Sequence, residues 1–419
     1  MDKGQFFREA RHDLTGPLDG VRVLEATTAW AGPMVGCMLA DLGADVVRID
    51  LPGSTGLGWP PKIPGTELSF ADQTVNRNKR SVSLDLRAAE GQAAFLQLAA
   101  HADVVVENFR PGTLEGWGIG YAGCRAVKAD IVYVSVSGWG QYGPWSERAG
   151  YDPAALAASG WMSLNGEADG SPTKAPTFLA DDLAGLHGTI GALAALRHRD
   201  QTGEGQHVDV ALLDSITYQS NGMLMLGALG AELPRWGSQV GATVPTNRYA
   251  CQDGHLYLAI GLDSHWRKLA TLARRPDLAE APGWATNQER VDNRGAVDAF
   301  VAQWCHGQRV EDALEAVLAA GLVAARVATF TEAAQEPHVQ ERDMLQPTEL
   351  VDGSIVPIVG PAAKFSRTPT RVRHPAPHPG TDTEQVLADL GWTGQARPGR
   401  PAPAAPLATE EAATAGQRP

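Results

Sequence analysis

Short runs of β-branched and apolar residues alternate with helical patterns through the first 140 residues. Residues 34–44 and 88–102 have the three- and four-residue apolar spacing of helices. Five runs predict strands: VRVLEAT (21–27), DVVRID (45–50), SVSLDL (81–86), DVVVENF (103–109) and IVYVSVSGWG (131–140). Because near-continuous apolar strands alternate with helices, we predict an α/β fold around a parallel, Rossmann-like sheet with both faces covered.

The pattern changes in the second half of the chain. Residues 196–218 combine a helix end, a Gly-rich turn and a strand or helix, and residues 219–250 are irregular. CQDGHLYLAIG (251–261) predicts a hairpin with an Asp-Gly turn, after which helical patterns dominate to about residue 335. Strand-like residues return in VDGSIVPIVG, and LADLGW (387–392) predicts a last short helix.

These changes divide the chain into parts. At 419 residues it is too long for one ordinary core. We predict that residues 1–218 and 341–395 build a large domain, and that residues 219–340 supply a linker and a smaller α+β domain. The Pro/Ala-rich tail at 396–419 is predicted to be disordered.

Charge and composition exclude several classes of function. A formal net charge of -13 repels phosphate backbones and anionic lipid, so no nucleic acid and no membrane is expected as a partner. No apolar window is long enough to cross a membrane, and the N-terminal residues lack the apolar core of a signal peptide. The four cysteines lie far apart without zinc-type spacing, which is typical of reduced, mostly buried thiols in a cytoplasmic protein without a metal site.

Three patches near the predicted strands were candidates for ligand binding. WAGPMVG stands where a dinucleotide site requires G-x-G-x-x-G, and proline replaces the glycine that approaches the pyrophosphate, so a dinucleotide site is disfavoured. ENFRPG (107–112) follows a buried strand, where α/β sheets bind ligands, although a polar turn is the commoner interpretation. NRNKRS (76–81) is usually a solvated basic face and alternatively attracts a phosphorylated cofactor.

The stretch APTFLADDLAGLHGTIGALAAL (175–196) carries two adjacent aspartates at the start of a helical pattern. Leu183, Leu186, Ile190, Leu193 and Leu196 recur at helical spacing, and glycines at 185, 188 and 191 allow close helix packing or close approach of a ligand. Asp181 or Asp182 is predicted at the N-cap or first helical position, where the helix dipole keeps a carboxylate ionised. Such a carboxylate caps the helix or attacks an activated acyl group, and the residues alone favour the cap.

Several stretches taken together resemble the class III CoA-transferases, of the formyl-CoA transferase and carnitine CoA-transferase type. The matching stretches are LDGVRVLEATTAWAGPMVGCMLADLGADVVRID, NRNKRSVSLDL, ADVVVENFRPGTLEGWGIGY, VYVSVSGWGQYGP, AGYDPAALAASG, DDLAGLHGTIGALAALRHRDQTGEGQHVDVALLD, DGHLYLAIG, RDML and HPGTDTEQVLADLGW. The resemblance covers residues 16–393 nearly throughout, in order. It implies an interlocked homodimer that uses no metal and moves CoA from an acyl-CoA to a free carboxylic acid.

The resemblance also implies roles for individual residues. Asp181, four residues before Gly185, matches the family's catalytic nucleophile, which passes through an aspartyl anhydride and an aspartyl-CoA thioester. The other implied positions are the active-site residues Tyr151, Asp152, Trp30, Ala31 and Gly185, and the CoA-binding residues Leu84, Arg87, Asn108 and Phe109. The glycines of the helix would let the thioester approach closely.

Departures from the family pattern bear on the substrate. Trp30 stands where formyl-CoA transferases have glutamine, Leu51, Gly116 and Ala149 replace basic residues, and the glycine-run lid is reduced to WGSQVGAT (236–243). These changes disfavour formyl or oxalate substrates and favour a bulkier or less polar acid.

Two other functions remain alternatives. An α-methylacyl-CoA racemase would also use Asp181, but it pairs the aspartate with a histidine where this chain has Tyr151, a poor α-proton base. His187 lies on the wrong stretch to replace that histidine. A non-catalytic CoA-binding protein is the second alternative, because several CoA contacts are altered.

Overall fold

The structure is a computed structural model and describes residues 1–389. By its contacts the chain divides into two compact units, each described here by itself. The first unit contains residues 1–150, 181–212 and 346–389, and the second contains residues 151–180 and 213–345. The predicted domain boundaries stay a prediction beside this division, and the predicted disordered tail (396–419) lies outside the described residues.

The strands of residues 1–389, in chain order, are β1 (Arg22–Ala26), β2 (Asp45–Asp50), β3 (Lys79–Ser83), β4 (Val104–Glu107), β5 (Val132–Ser137), β6 (His207–Ala211), β7 (Thr246–Ala250), β8 (His255–Ala259), β9 (Ala324–Arg326), β10 (Leu345–Glu349) and β11 (Ile355–Val359).

The α-helices of the same residues are α1 (Lys3–Phe6), α2 (Ala31–Asp41), α3 (Phe70–Val75), α4 (Ala89–Ala99), α5 (Thr113–Gly116), α6 (Tyr121–Val127), α7 (Asp152–Ala158), α8 (Trp161–Leu164), α9 (Leu179–Thr202), α10 (Leu212–Tyr218), α11 (Met223–Ala228), α12 (Asp263–Leu272), α13 (Asn287–Asp292), α14 (Arg294–His306), α15 (Val310–Ala319), α16 (Phe330–Gln335), α17 (Pro337–Glu341) and α18 (Thr383–Ala388).

The first unit is organised by a six-stranded sheet with the order β3-β2-β1-β4-β5-β6. Every neighbouring pair is parallel, and the order is that of a doubly wound Rossmann sheet. Strands of this kind are buried on both faces, which is why β4 begins with three valines and why β5 (VYVSVS) is buried from Val132 to Val136. The predicted α/β fold with a parallel sheet is therefore confirmed.

The second unit has its own core. The predicted hairpin forms from β7 and β8, which pair antiparallel from Thr246 opposite Ala259 to Ala250 opposite His255, and β9 extends the sheet. Helices α12, α14 and α15 contribute buried residues to a cluster around the fully buried Trp266. Strand β8 alternates buried and more exposed positions, because one face of an antiparallel sheet packs on the core.

The basic motif NRNKRS is neither the solvated face nor the phosphate site that its sequence suggested. Its cations form ion pairs within the first unit: Arg77 with Asp41 at 2.6 Å, Lys79 with Glu25 at 2.7 Å and Arg80 with Asp45 at 2.7 Å. Arg77 and Lys79 are buried. Asn78 joins the motif to the C-terminal segment, because its side-chain oxygen accepts the backbone N–H groups of Arg373 and His374. A solvated face and a phosphate site are thus both wrong for the two buried cations, which hold the fold together.

Helix α9 also packs differently from its leucine pattern. Leu186 and Ile190 are 41% and 52% exposed, whereas the small residues Ala184, Gly188 and Ala192 are buried. Small side chains allow the backbone of α9 to approach its neighbours closely, and the side chains of Leu186 and Ile190 then point away. The face that packs in the first unit is therefore the glycine and alanine face.

Candidate functional site

Helix α9 begins at Leu179, so both aspartates lie inside its first turn. Asp181 is the third residue of the helix and Asp182 the fourth, which makes the predicted N-cap or first helical position wrong. The backbone N–H of Ala180 donates instead to Oδ1 of Asp152, at 2.7 Å in buried surroundings. The side chain at 152 supplies the acceptor that the start of the helix requires.

Asp182 is held by Trp30, the residue at the N-cap of α2. The indole Nε1–H of Trp30 donates to Oδ1 of Asp182 at 2.7 Å. The Trp30 ring is buried, lies parallel to Trp59 with ring centroids 6.3 Å apart, and contacts Phe70 at the same centroid distance. The carboxylate of Asp182 therefore binds a buried aromatic donor.

The glycines of α9 serve helix packing within the first unit. A Cβ atom on Gly185 would lie 2.6 Å from Cγ of Met34 and 3.6 Å from the carbonyl oxygen of Ala31. A Cβ atom on Gly188 would lie 2.6 Å from Cγ2 of Val35. Of the two explanations that the sequence left open, close helix packing is the one observed at these positions, and it brings the predicted site residues Ala31 and Gly185 together.

Asn108 joins two strand ends at the carboxyl edge of the sheet. Its side-chain oxygen accepts the N–H of Thr28 at 2.8 Å, and its side-chain nitrogen donates to the carbonyl of Thr28 at 2.7 Å. The next residue, Ala29, has a left-handed φ of 61°, which an alanine rarely adopts. Asn108 therefore stabilises a strained turn that leads directly into Trp30.

Phe109 follows Asn108 and is positioned by a buried carboxylate. Its backbone N–H donates to Oε2 of Glu107 at 2.8 Å, and its ring packs edge-on against Trp117 with centroids 5.7 Å apart. Burial raises the pKa of Glu107 to about 7, although hydrogen bonds from Ser135 and from Phe109 act in the opposite direction. Sequence reasoning missed Glu107, whose place at the end of an apolar strand was the available clue.

Leu84 and Arg87, the other predicted CoA contacts, follow β3. Leu84 is buried in the core cluster against which Phe109 also packs. Arg87 is exposed, and its guanidinium pairs with Asp85 at 2.8 Å. The structure therefore groups Leu84 with Phe109 and leaves the Arg87 cation at the surface.

Tyr151 and Asp152 belong to the second unit and begin α7. Tyr151 is the N-cap residue and is 72% exposed, whereas Asp152 is buried. The phenol is therefore presented to solvent in the described chain, and the neighbouring carboxylate holds a helix start.

The described residues also bear on the expectations about metals, membrane spans and cysteines. Within residues 1–389, no three His, Cys, Asp or Glu side chains are grouped so that they could hold a metal ion. None of the helices in that range combines the length and the apolar character that a membrane span needs. All four cysteines are buried free thiols as predicted, and burial raises the pKa of Cys37 to about 12.

Comparison with known proteins decides the family. The model of CoA-transferase family III matches residues 18–383. The chain is 35% identical over 382 residues to the succinate–glutarate CoA-transferase of Agrobacterium fabrum, with 89% of this chain and 96% of that protein covered. It is 35% identical over 392 residues to the beta subunit of the succinyl-CoA–L-malate CoA-transferase of Chloroflexus aurantiacus, with 90% and 94% covered. The chain belongs to CoA-transferase family III.

A solved structure supports the same assignment. The CAIB/BAIF family protein from Brucella suis has a TM-score of 0.80 and 32% identity, covering 90% of this chain and 100% of its own. The predicted class III CoA-transferase is thus confirmed, and the chain is an enzyme of that class. Within this transferase, Trp30, Ala31, Asp181, Asp182 and Gly185 lie in the first unit, where the start of α2 packs against the start of α9.

Proposed function

We propose that this transferase moves CoA from a dicarboxylic acyl-CoA donor of the succinyl-CoA type to a second dicarboxylic acid, with Asp181 as the nucleophile. The observation that carries the proposal is the anchoring of both neighbours of Asp181. Ala180 is held through its backbone by Asp152, and Asp182 is held through its side chain by Trp30. The intervening carboxylate lies in the first turn of a 24-residue helix, where the macrodipole stabilises negative charge.

The first half of the reaction charges the enzyme with CoA. A carboxylate oxygen of Asp181 attacks the thioester carbonyl, the C–S bond breaks, and CoA leaves as a thiolate while a mixed anhydride forms. The thiolate then attacks the carbonyl carbon of Asp181. The donor acid leaves as its carboxylate, carrying one oxygen that belonged to Asp181, and an aspartyl-CoA thioester remains.

The second half repeats these steps in the opposite direction. The acceptor carboxylate attacks the aspartyl thioester and displaces the CoA thiolate, which forms a second anhydride. The thiolate attacks the acceptor's carbonyl, the C–O bond to Asp181 breaks, and the new acyl-CoA leaves. No net proton or electron is transferred. Both the anhydride and the thioester hydrolyse in water, so the site must exclude it.

The remaining predicted residues are proposed to hold the substrates. Leu84, Arg87, Asn108 and Phe109 are proposed to bind CoA, and Trp30, Ala31, Gly185, Tyr151 and Asp152 to surround the acyl group or to support the residues that do. Support comes from the carboxyl edge of the sheet, where α/β sheets bind ligands and where Asn108 lies. The exposed guanidinium of Arg87 suits a phosphate of CoA once it exchanges its partner Asp85.

The names of the relatives support a dicarboxylic acid. One is named for succinate and glutarate, the other for succinyl-CoA and L-malate, and all of these acids carry two carboxyl groups. A tryptophan in place of the glutamine of formyl-CoA transferases agrees with an acid bulkier than oxalate. Assaying succinyl-CoA against glutarate, malate, oxalate and the monocarboxylic acid butyrate tests this assignment. Efficient turnover of butyrate would contradict the dicarboxylic acceptor, and efficient turnover of oxalate would contradict an acid bulkier than oxalate.

We further propose an interlocked homodimer in the cytoplasm, in keeping with the family resemblance. Each unit exposes apolar side chains, Ile190 on α9 in the first and Leu224 on α11 in the second, which agrees with contacts to another chain. Light scattering should give twice the mass of one chain, and a monomer at assay concentrations would contradict the dimer.

Chemical trapping tests the covalent mechanism. After incubation with succinyl-CoA alone, borohydride should reduce the aspartyl thioester to homoserine at position 181, as read by peptide mass spectrometry. Asp181→Asn should abolish both the trapped product and the transfer. If position 181 stays unmodified while solvent deuterium enters the α-carbon without any acceptor acid, the racemase alternative replaces the transferase. If the wild type binds CoA but gives neither a trapped product nor transfer, the non-catalytic alternative stands.

A further inference from the structure

The bond between Trp30 and Asp182 joins the starts of two helices that touch along their backbones. Trp30 precedes α2, and Asp182 lies one residue after the proposed nucleophile in α9. The bond measures 2.7 Å and ends on a carboxylate, which makes it a charge-assisted hydrogen bond. Such bonds are stronger and more directional than bonds between neutral groups, so this one fixes an orientation as well as a contact.

Packing around the bond leaves it little freedom. The indole is buried and lies parallel to the ring of Trp59, with 7° between the two planes. Two turns of α9 press against α2, since Gly185 contacts Met34 and Gly188 contacts Val35 with no room for a Cβ atom. A rotation of the first turn of α9 would therefore break the hydrogen bond or collide with α2.

The hydrogen bond from Trp30 also limits a side reaction of Asp182. A second carboxylate beside the nucleophile could itself attack an acyl-CoA and form a wrong anhydride. An N–H donor on Oδ1 draws electron density from that oxygen and ties it to a buried ring. Attack through this oxygen would require breaking the bond, and a hydrogen bond to either oxygen lowers the nucleophilicity of the whole carboxylate.

We propose that Asp182 is a positioning residue: held by the indole of Trp30, its carboxylate orients the helical turn that carries Asp181 and is itself withheld from the reaction. The proposal rests on the proposed function of Asp181. It assigns Trp30 the task of anchoring Asp182, beyond bordering the acyl group. The pair acts on the rate of thioester formation, because orientation contributes to the chemical step more than to CoA binding.

The test compares four variants of the pair and one control variant in the full-length enzyme. Trp30→Phe keeps an aromatic ring for the stack and removes the donor, while Asp182→Ala removes the acceptor. The double variant lacks both. Asp182→Asn keeps an oxygen at the same place and serves as the conservative rescue. Asp200→Ala removes a carboxylate near the other end of the same helix and is the matched control. Thermal unfolding of each variant separates loss of folding from loss of rate.

The readout is the single-turnover rate at which succinyl-CoA forms the aspartyl-CoA thioester, together with KM for succinyl-CoA. Trp30→Phe and Asp182→Ala should each slow thioester formation about tenfold, with KM changed less than about twofold. The double variant should be no slower than the slower single variant, because both remove the same bond. Asp182→Asn should recover most of the rate, and Asp200→Ala should match the wild type.

Other outcomes overturn the proposal. If Asp182→Ala forms the thioester at the wild-type rate, Asp182 has no positioning role. The same follows if the rate of the double variant falls by the product of the two single-variant reductions. A rise in KM at constant rate would assign the pair to substrate binding. The proposed function is checked separately by trapping in the wild type. Thioester at position 181 with unchanged variant rates contradicts only the positioning role, whereas thioester at position 182 contradicts both.

Discussion

Asp152 accepts a 2.7 Å hydrogen bond from the backbone N–H of Ala180, so a side chain 28 residues upstream caps the helix that carries Asp181. Capping by a distant segment couples the start of α9 to the start of α7, where Asp152 itself is the first helical residue. Asp152 thus supplies, from a distant segment, the acceptor that an aspartate at the N-cap usually provides.

Replacing Asp152 by alanine should loosen the first turn of α9. A buried N–H without an acceptor and the loss of a cap each cost about 1–2 kcal/mol. Hydrogen exchange followed by mass spectrometry should therefore show faster exchange in peptides that cover residues 178–183 and little change in β1 or β4. Asp152→Asn retains an acceptor oxygen and should exchange nearly as slowly as the wild type. Equal protection in the alanine variant would show that the bond does not hold the helix start.

Lys79 and Glu25 form a fully buried ion pair beneath α2. The ammonium also donates to the carbonyl of Pro33, and the carboxylate lies where a Cβ atom on Gly36 would come within 1.6 Å. Lys79→Met leaves a buried carboxylate without its cation and should destabilise the first unit by about 3–5 kcal/mol, measured by denaturant unfolding. Removing both charges, as Lys79→Met with Glu25→Gln, should cost less than Lys79→Met alone.

Arg80 offers a control in the same motif. Its pair with Asp45 is partly exposed on both sides, and exposed pairs contribute about 0–1 kcal/mol. Arg80→Met should therefore change the midpoint of unfolding far less than Lys79→Met. If Arg80→Met and Lys79→Met lowered the free energy of unfolding by similar amounts, burial of the Glu25–Lys79 pair could not explain the effect of Lys79→Met.

Glu107 should make stability depend on pH between about 4.5 and 7. Burial raises the pKa of Glu107 from its ordinary value of 4.5 to about 7, so the folded state binds a proton that the unfolded state releases. The stabilisation is present below the unfolded pKa and is lost as pH rises through the folded pKa, to a limit of roughly 3 kcal/mol. Glu107→Gln should gain stability relative to the wild type between pH 5 and pH 8, as read from melting temperatures. A constant difference across that range would show that Glu107 stays ionised.

Gly188 should tolerate no larger residue despite its place in a helix. Alanine is better than glycine in a helix by about 1 kcal/mol, yet its Cβ would lie 2.6 Å from Val35. We expect Gly188→Ala to lower the melting temperature, and Val35→Ala to offset part of that loss in the double variant. Gly295 in α14 has open space at its Cβ position, so Gly295→Ala should be neutral or stabilising. A stabilised Gly188→Ala enzyme would contradict the close packing of α9 on α2.

Much of the sheet could be predicted because buried parallel strands appear in the sequence as short runs of apolar residues. β2 was predicted at its observed limits, and β1, β4 and β5 within a few residues, since valine and isoleucine runs rarely occur elsewhere. The last strand was ambiguous, and residues 207–218 in fact contain a strand followed by a helix. No apolar period separates the two, because both are short.

The site was harder to predict, since its contacts join residues far apart in sequence. Asp152 and Ala180, or Trp30 and Asp182, leave no local pattern, so capping was wrongly given to the nearest aspartates. Similarly, NRNKRS reads as a solvated basic run until the carboxylates that pair with it are known. The residue that matches the family nucleophile came from the resemblance, and the structure supplied the anchors on either side.

The covalent role of Asp181 is tested most directly by following oxygen atoms. The acceptor acid is supplied with oxygen-18 in both oxygens of its carboxyl groups, together with unlabelled succinyl-CoA. Because the second anhydride breaks on the acceptor's side, its bridging oxygen stays on the enzyme. After turnover, peptide fragmentation should place oxygen-18 in the side chain of Asp181 and not in Asp182, and later turnovers should pass that label to the released succinate. Full transfer activity with no label at position 181, or with label at position 182, would contradict the account.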